Sequence, residues 1–212
     1  LAGLGIFTHP TRADTLCVHP TGGSGCYTTI QAAVDAANPG DTINIAEGTY
    51  TSTATRIVDV DKNLSLYGGW ASDFSQRNPQ TYVTTLDGQN QRTGVESTSG
   101  DTVVLDGLRI INGYGPAGGV EVNTGSITIR NCTFANNYGT GGGGAIRISD
   151  ATIEIANNTI SNNEVGLHGD GGGIHLEGCS GSISNNDISN NYLDDGAGGG
   201  LYLNNNGSIT LS

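Results

Sequence analysis

Tyrosines, carboxylates and a few basic residues recur at a nearly constant interval through the second half of this 212-residue chain. Tyr114, Tyr138, Glu164, His168, Asp170, Tyr192, Asp194 and Asp195 fall in variable loops bordered by glycine runs, while Glu121, Arg147, His175 and Tyr202 fall at the centre of short apolar-x-apolar steps. Aromatic rings beside carboxylates are the groups of a carbohydrate-binding surface, and carboxylate oxygens are ligands for Ca²⁺. These residues are the candidate ligand face, with a glycan as its ligand and Ca²⁺ as the one cofactor it would suit. Each also has a plainer reading. Glu121 and Arg147, one repeat apart, make a surface ion pair. His168, in GLHGDGGG, is a solvated loop histidine without an accompanying ligand set. Asp194 and Asp195 have the chemistry of an acid and a base, but neighbours on a loop need not face one bond. No catalytic residue and no metal ligand is assigned.

A repeated phrase sets the positions of these residues. It reads IRNCTFANN at Ile129–Asn137, IANNTISNN at Ile155–Asn163 and ISNNDISNN at Ile183–Asn191, with a fainter LDGLRIING at Leu105–Gly113. From Leu105 through Ile129 and Ile155 to Ile183 the intervals are 24, 26 and 28 residues (129 − 105, 155 − 129, 183 − 155). Intervals in the twenties mark stacked structural units. Apolar and polar residues alternate within each phrase and no window keeps a helical period, so the units are short strands. The columns Asn131/Asn157/Asn185 and Asn136/Asn162/Asn190 are the expected asparagine ladders, amides bonding to copies of themselves at a strand spacing of ~4.8 Å. That reading puts Asn131 and Asn157, both in glycosylation sequons, inside the turn. Ile110, Phe134, Ile160 and Ile188 form an inward column. The expected fold is all-β, a parallel β-helix whose coils bury apolar surface only against their neighbours.

The chain resembles right-handed parallel β-helix proteins of the pectin-lyase-like superfamily. The pairing of GGGGAI or GGGI with FANN or ISNN is similar to repeats of bacterial surface and polymorphic outer-membrane proteins. TIQAAVDAANPGDTINIAEGTY (29–50) resembles the opening of many β-helix proteins, in which a helix covers the first coil, and LYGGWASDFSQRNPQTYVTTLDGQ (66–89) resembles a segment of secreted multi-coil examples. The resemblance implies a right-handed coil and an extracellular or cell-surface location in a bacterium, but not a reaction, because the scaffold serves lyases, hydrolases, adhesins and fibres alike. Pectate-lyase relatives use a basic residue to take the substrate proton and several acids to hold calcium. Here Lys62 is the sole lysine and precedes the regular coils, and Arg147 is the only arginine on the late column. The expected role is therefore non-catalytic, structural or adhesive. A polysaccharide lyase or glycoside hydrolase, or a carbohydrate-binding module, is the alternative.

Residues 1–26 read as an N-terminal extension and 27–212 as the β-helix, with a capping helix at 27–38, irregular coils at 41–107 and regular coils at 108–212. Ile30, Ala33, Val34 and Ala37 share one helical face, Thr28 or Thr29 can cap its start, and Asn38-Pro39-Gly40 ends it. Leu66, Leu86 and Leu105 are expected about one coil apart. Trp70 and Phe74 read as packing on the coil surface, with sugar stacking as their other use. Cys17 and Cys26 flank the turn-rich VHPTGGSG and suit a disulfide in an oxidising compartment, whereas Cys132 and Cys179 read as buried thiols. Leu1–Ala13 reads as the tail of a signal peptide or, at Leu4–Thr8, as a strand. Ser208–Ser212 matches the start of another coil, so the expected partners are further coils of a longer chain or a second copy joined through coil ends into a filament. A net charge of −12, with one lysine and seven arginines, excludes a nucleic-acid backbone as partner. No apolar run approaches the ~20 residues that span a bilayer.

Overall fold

The computed structural model describes residues 13–167 and 169–212, so the readings of Leu4–Thr8 and of His168 lie outside the described residues. Among the described residues the alternating segments become strands that pair with one another in parallel, stacked into four sheets, with one isolated antiparallel bridge between Trp70 and Arg77. Sheet A holds Thr15–Val18, Thr42–Ala46, Leu64–Trp70, Thr102–Asp106, Gly125–Arg130, Ala151–Ala156, Ser180–Ser184 and Ile209–Leu211. Sheet B holds Gly48–Tyr50, Thr84–Asp87, Leu108–Ile111, Thr133–Ala135, Thr159–Ser161 and Asp187–Ser189. Sheet C holds Arg56–Asp59, Thr93–Ser97, Val120–Val122, Ile146–Ser149, Ile174–Glu177 and Leu201–Asn204. A narrow sheet D, of Tyr114–Gly115, Tyr138–Gly139, Glu164–Val165 and Tyr192–Leu193, lies between B and C along the chain in the later coils. Each of those coils runs A, B, D, C and back to A, which is a β-helix.

Period-2 alternation turns every second side chain inward, and coil-to-coil register aligns these into columns. In sheet A one column runs Ile43, Leu66, Leu105, Ile129, Ile155, Ile183, Leu211. In sheet B it runs Tyr50, Leu86, Ile110, Phe134, Ile160, Ile188, which includes the inward column read from the repeats. Leu86 therefore does not share a column with Leu66 and Leu105: the coil from Leu66 to Leu105 is long, and Leu86 lies on the next face of it. Backbones of adjacent coils approach closely where glycine permits. A Cβ on Gly119 would strike the Ala145 carbonyl of the next coil and the Phe134 ring.

Asparagine ladders exist, but one residue further on than the sequence reading placed them. Asn131, Asn136, Asn157, Asn162, Asn185 and Asn190 all have φ between 53° and 57° and point outward, exposed. They are the left-handed residues that turn each corner, a conformation asparagine tolerates better than most side chains. The residue after each corner then faces inward. At the corner between B and D, Asn137 Nδ2 donates to Asn163 Oδ1 at 2.9 Å and Asn163 Nδ2 to Asn191 Oδ1 at 2.9 Å, while each Oδ1 also accepts the backbone N–H of the coil before. Asn158 and Asn186 repeat this between A and B, and Cys132 takes the next rung, accepting from Leu108 N through Sγ at 3.5 Å. Burial pushes the Cys132 thiol up to about 12, so it serves as a small apolar rung rather than a nucleophile.

The earlier coils use single fasteners. The helix spans Ile30–Ala36, shorter than the expected 27–38, because Tyr27 joins Val18 in a parallel bridge and Thr29 stays extended to cap Ala32 N through Oγ1. Ile30, Ala33 and Val34 face the core, and Lys62 Nζ donates to the carbonyls of Val34 and Ala37 at the helix C-terminus. Cys17 and Cys26 are joined as a disulfide. The excursion after Trp70 is pinned by Arg77, which donates to Gly68 O at 2.8 Å and to Asp106 Oδ1 at 2.6 Å and lies 5.2 Å from the centre of the Tyr67 ring. Asp106 also accepts from Arg130 Nε at 2.7 Å and Asn131 Nδ2 at 3.1 Å. Burial works against that carboxylate, but hydrogen bonds from Arg77, Arg130 and Asn131 outweigh it and hold the carboxyl below its ordinary range. Trp70 and Phe74 are half-buried on the coil surface with ring centroids 6.3 Å apart.

Candidate functional site

Because outward residues of stacked strands share the inward residues' register, the apolar-x-apolar steps place one polar side chain per coil on the outside of sheet C. Glu121, Arg147, His175 and Tyr202 are paired in that order on consecutive strands. The structure extends the column backward through Glu96 to Asp59. Glu96 went unnoticed in the sequence because its step, Val95-Glu96-Ser97, ends in a buried serine where the later copies have an aliphatic residue. The remaining signal was the Val-Glu pair itself, repeated at Val120-Glu121.

This column is outward but not open. Glu121 is 6% exposed and His175 8%, with Arg147 against the first and the Asp170 carbonyl and Tyr202 ring against the second. The Glu121–Arg147 contact, expected as a surface ion pair, is instead largely covered: Arg147 Nη1 lies 3.2 Å from Glu121 Oε1, whose side chain is 8% exposed. Arg56 clamps the other end, at 2.9 Å from Glu96 and 3.0 Å from Asp59. Desolvation raises the Glu96 carboxyl above its ordinary value against the pull of Arg56, and the Glu121 and Asp59 charges add to the rise. His175 Nδ1 sits 3.3 Å from the Asp170 carbonyl and the ring meets Tyr202 edge-on at 5.0 Å. Among the described residues, Arg147 Nε and His175 Nε2 are buried without a hydrogen-bond partner.

Sheet D carries the loop residues. Tyr114, Tyr138, Glu164 and Tyr192 stand in register, and the rings of Tyr114 and Tyr138 stack at 5.5 Å with planes 10° apart. Tyr114 is 46% exposed and Tyr192 57%. Asp194, two residues beyond Tyr192, hydrogen-bonds its hydroxyl and raises that phenol; the Asp170 charge raises the phenol of Tyr202 likewise. Asp170 Oδ1 also accepts from Ala197 N at 2.7 Å, tying two successive loops together. Asp194 and Asp195 are exposed on the Tyr192 loop. Sheets C and D thus bring Glu121, Arg147, His175, Tyr202, Tyr114, Tyr138 and Tyr192 onto one continuous flank. Where sheet D begins beside sheet C lies a cleft of about 410 Å³, lined by Arg56, Thr93, Glu96, Tyr114, Pro116 and Glu121. A larger groove, about 820 Å³, lies on the outside of sheet B, and none of the candidates named from sequence lines it.

Among the described residues, no group of three or more histidine, cysteine, aspartate or glutamate side chains is placed to share a metal ion. No helix among them is long and apolar enough to cross a membrane.

Residues 77–212 match the family model described as the right-handed β-helix region, and the chain belongs to that family. The match begins at the arginine that pins the excursion and takes in every regular coil. No curated protein and no solved structure matches the chain.

Proposed function

We propose that this protein is a non-catalytic structural or adhesive β-helix of a secreted or cell-surface protein, and that it meets its ligand through the flank formed by sheets C and D. The observation that carries this reading is the pairing of the flank's charges. Glu96 and Asp59 are held by Arg56, Glu121 by Arg147, and Asp170 is tied to the loop of the next coil. Groups committed to neighbouring coils stiffen a rod and are poorly placed to exchange protons with a substrate, while the exposed tyrosines beside them offer stacking faces to a sugar. A disulfide together with a β-helix is compatible with an extracellular location. Association through coil ends belongs to the same reading.

One observation favours a second reading, a glycoside hydrolase. Glu96 and Glu121 occupy adjacent strands in one cleft, and the raised Glu96 carboxyl is the property of a general acid beside a second carboxyl group. Incubation with panels of acidic and neutral polysaccharides, read both for binding and for reducing ends or unsaturated products, separates the two. Binding without products is expected. Turnover abolished by Glu96→Gln would replace the adhesive reading with the enzymatic one. Sedimentation across a concentration series reads end-to-end association, expected as a growing series of species.

A further inference from the structure

The chain carries four Asn-x-Ser/Thr sequons, Asn63-Leu64-Ser65, Asn131-Cys132-Thr133, Asn157-Asn158-Thr159 and Asn206-Gly207-Ser208. The ladder reading places Asn131 and Asn157 inside the turn, where a sugar does not fit; the structure turns both outward. Folding therefore sorts the four anew. An N-linked sugar needs an amide nitrogen that reaches solvent, a hydroxyl two residues on that reaches the same side, and a place where its bulk displaces nothing.

Asn206 fails on the first count. Its Oδ1 accepts Cys179 N at 2.7 Å and its Nδ2 donates to Leu176 O at 3.1 Å, which makes it a rung at the corner between C and A. Asn131 Nδ2 is held by Asp106 Oδ1 at 3.1 Å, and Asn63 Oδ1 accepts Thr102 N at 2.7 Å. Among the described residues, Asn157 alone of the four makes no side-chain hydrogen bond, and it is exposed. The corner explains why. At φ 57° Asn157 turns the chain out of the sheet A strand with its side chain outward, and Asn158 then points in as the rung. Alternation returns Thr159, the first residue of the sheet B strand, to the outside, where it too is exposed. Amide and hydroxyl of this sequon leave the coil on one side. The equivalent corners above and below carry Asn131 and Asn185, both short and exposed, and the open groove of about 820 Å³ bordered by Asn157 and Thr159 leaves room for the first sugars.

We propose that Asn157 is an N-glycosylation site of the folded protein. Its Nδ2 attacks C1 of the reducing-end sugar of a polyprenyl-pyrophosphate oligosaccharide. The Nδ2–C1 bond forms, the C1–O bond to pyrophosphate breaks with its electron pair leaving on the polyprenyl pyrophosphate, and the transferring enzyme takes one amide proton. The glycan projects from the corner between A and B, outside the flank of sheets C and D, so the modification does not depend on what that flank binds.

The test treats the intact, folded protein with a purified oligosaccharyltransferase and its lipid-linked donor, and reads each sequon by peptide mass spectrometry. Peptides cut from the chain around Asn157 and Asn206 are treated alongside. Expected in the folded protein is occupancy at Asn157 above that at the other three sequons, with the circular dichroism unchanged by modification. Thr159→Ala leaves Asn157 and its corner in place and should bring that occupancy to background. Asn206 should be modified in its peptide but not in the folded protein, since only folding commits its amide to the ladder. An unoccupied Asn157, occupancy that survives Thr159→Ala, or Asn206 modified as readily in the folded protein as in its peptide overturns the proposal. Each of these outcomes leaves the adhesive reading untouched.

Discussion

The late coils, 108–212, and the early ones, 41–107, solve the same problem in two ways. Each must turn its corners and give every inward backbone group a partner where no water reaches. The late coils do it with one device copied from coil to coil: an outward left-handed asparagine followed by an inward one whose amide bonds the amide of the next coil and the backbone of the coil before. The early coils do it with single-use parts. Thr84 Oγ1 donates to the carbonyls of Ile45 and Ala46, Asp41 accepts from the backbone of Asp14 and Asn38, and Asp106 gathers two arginines and Asn131. A copied device spreads its energy over neighbours and tolerates variable loops; a single-use part concentrates it and so can hold an excursion such as residues 71–83 that no other coil copies.

The sharpest way to break that contrast is at its most concentrated point. Asp106→Ala leaves two arginines beside a vacated buried site, and should cost about 3–5 kcal/mol in chemical denaturation. The sign with pH follows from the lowered carboxyl. Its contribution is complete above the unfolded value near ~4 and is lost as pH falls through the still lower folded value, so wild type and variant should converge only in strong acid. A gap that closes already at pH 6 would refute this assignment.

Next in size is the ladder. Asn163→Ala strands the Asn137 backbone N–H and the Phe134 carbonyl, and should cost roughly 3 kcal/mol. Its neighbour sharpens the point: Asn162→Ala gives up only a left-handed corner, about 1 kcal/mol, and Asn162→Gly should be close to neutral. Thermal melts of the three variants in the reverse order would move the ladder back to the other asparagine.

Opening the Cys17–Cys26 loop by a double serine substitution should cost about 2–3 kcal/mol, a cost confined to the first coil. Hydrogen exchange should show protection falling around Thr15–Val18 and the helix while the late coils keep theirs. Smallest is Lys62→Ala, which removes the donor at the helix C-terminus for about 0.5–1 kcal/mol.

Much of this was legible without coordinates. Spacing in the twenties and strict alternation are enough to require stacked strands, and the columns through Ile110, Phe134, Ile160 and Ile188 follow from the same count. Three things were not legible. In the irregular early coils the count alone could not tell that Leu86 lies on a different face from Leu66 and Leu105. In an Asn-Asn pair both residues repeat with the same period, so periodicity cannot tell which faces inward. That is decided by which of them takes positive φ at the corner. Likewise Glu121 and His175 were placed outward correctly, yet their burial depends on groups brought against them in the folded coils: Arg147 for the first, the Asp170 carbonyl and the Tyr202 ring for the second.

By itself, then, the chain's alternation and repeat length determined the sheets, the direction of stacking and the apolar columns, because side-chain direction along a strand is a local property. Only the tertiary structure decided which polar residues lost their water, which carboxylate met which guanidinium, and that Arg109, alone among the described lysines and arginines, has an unpaired side chain. Those outcomes depend on distances between coils, and no residue's near neighbours in sequence specify them.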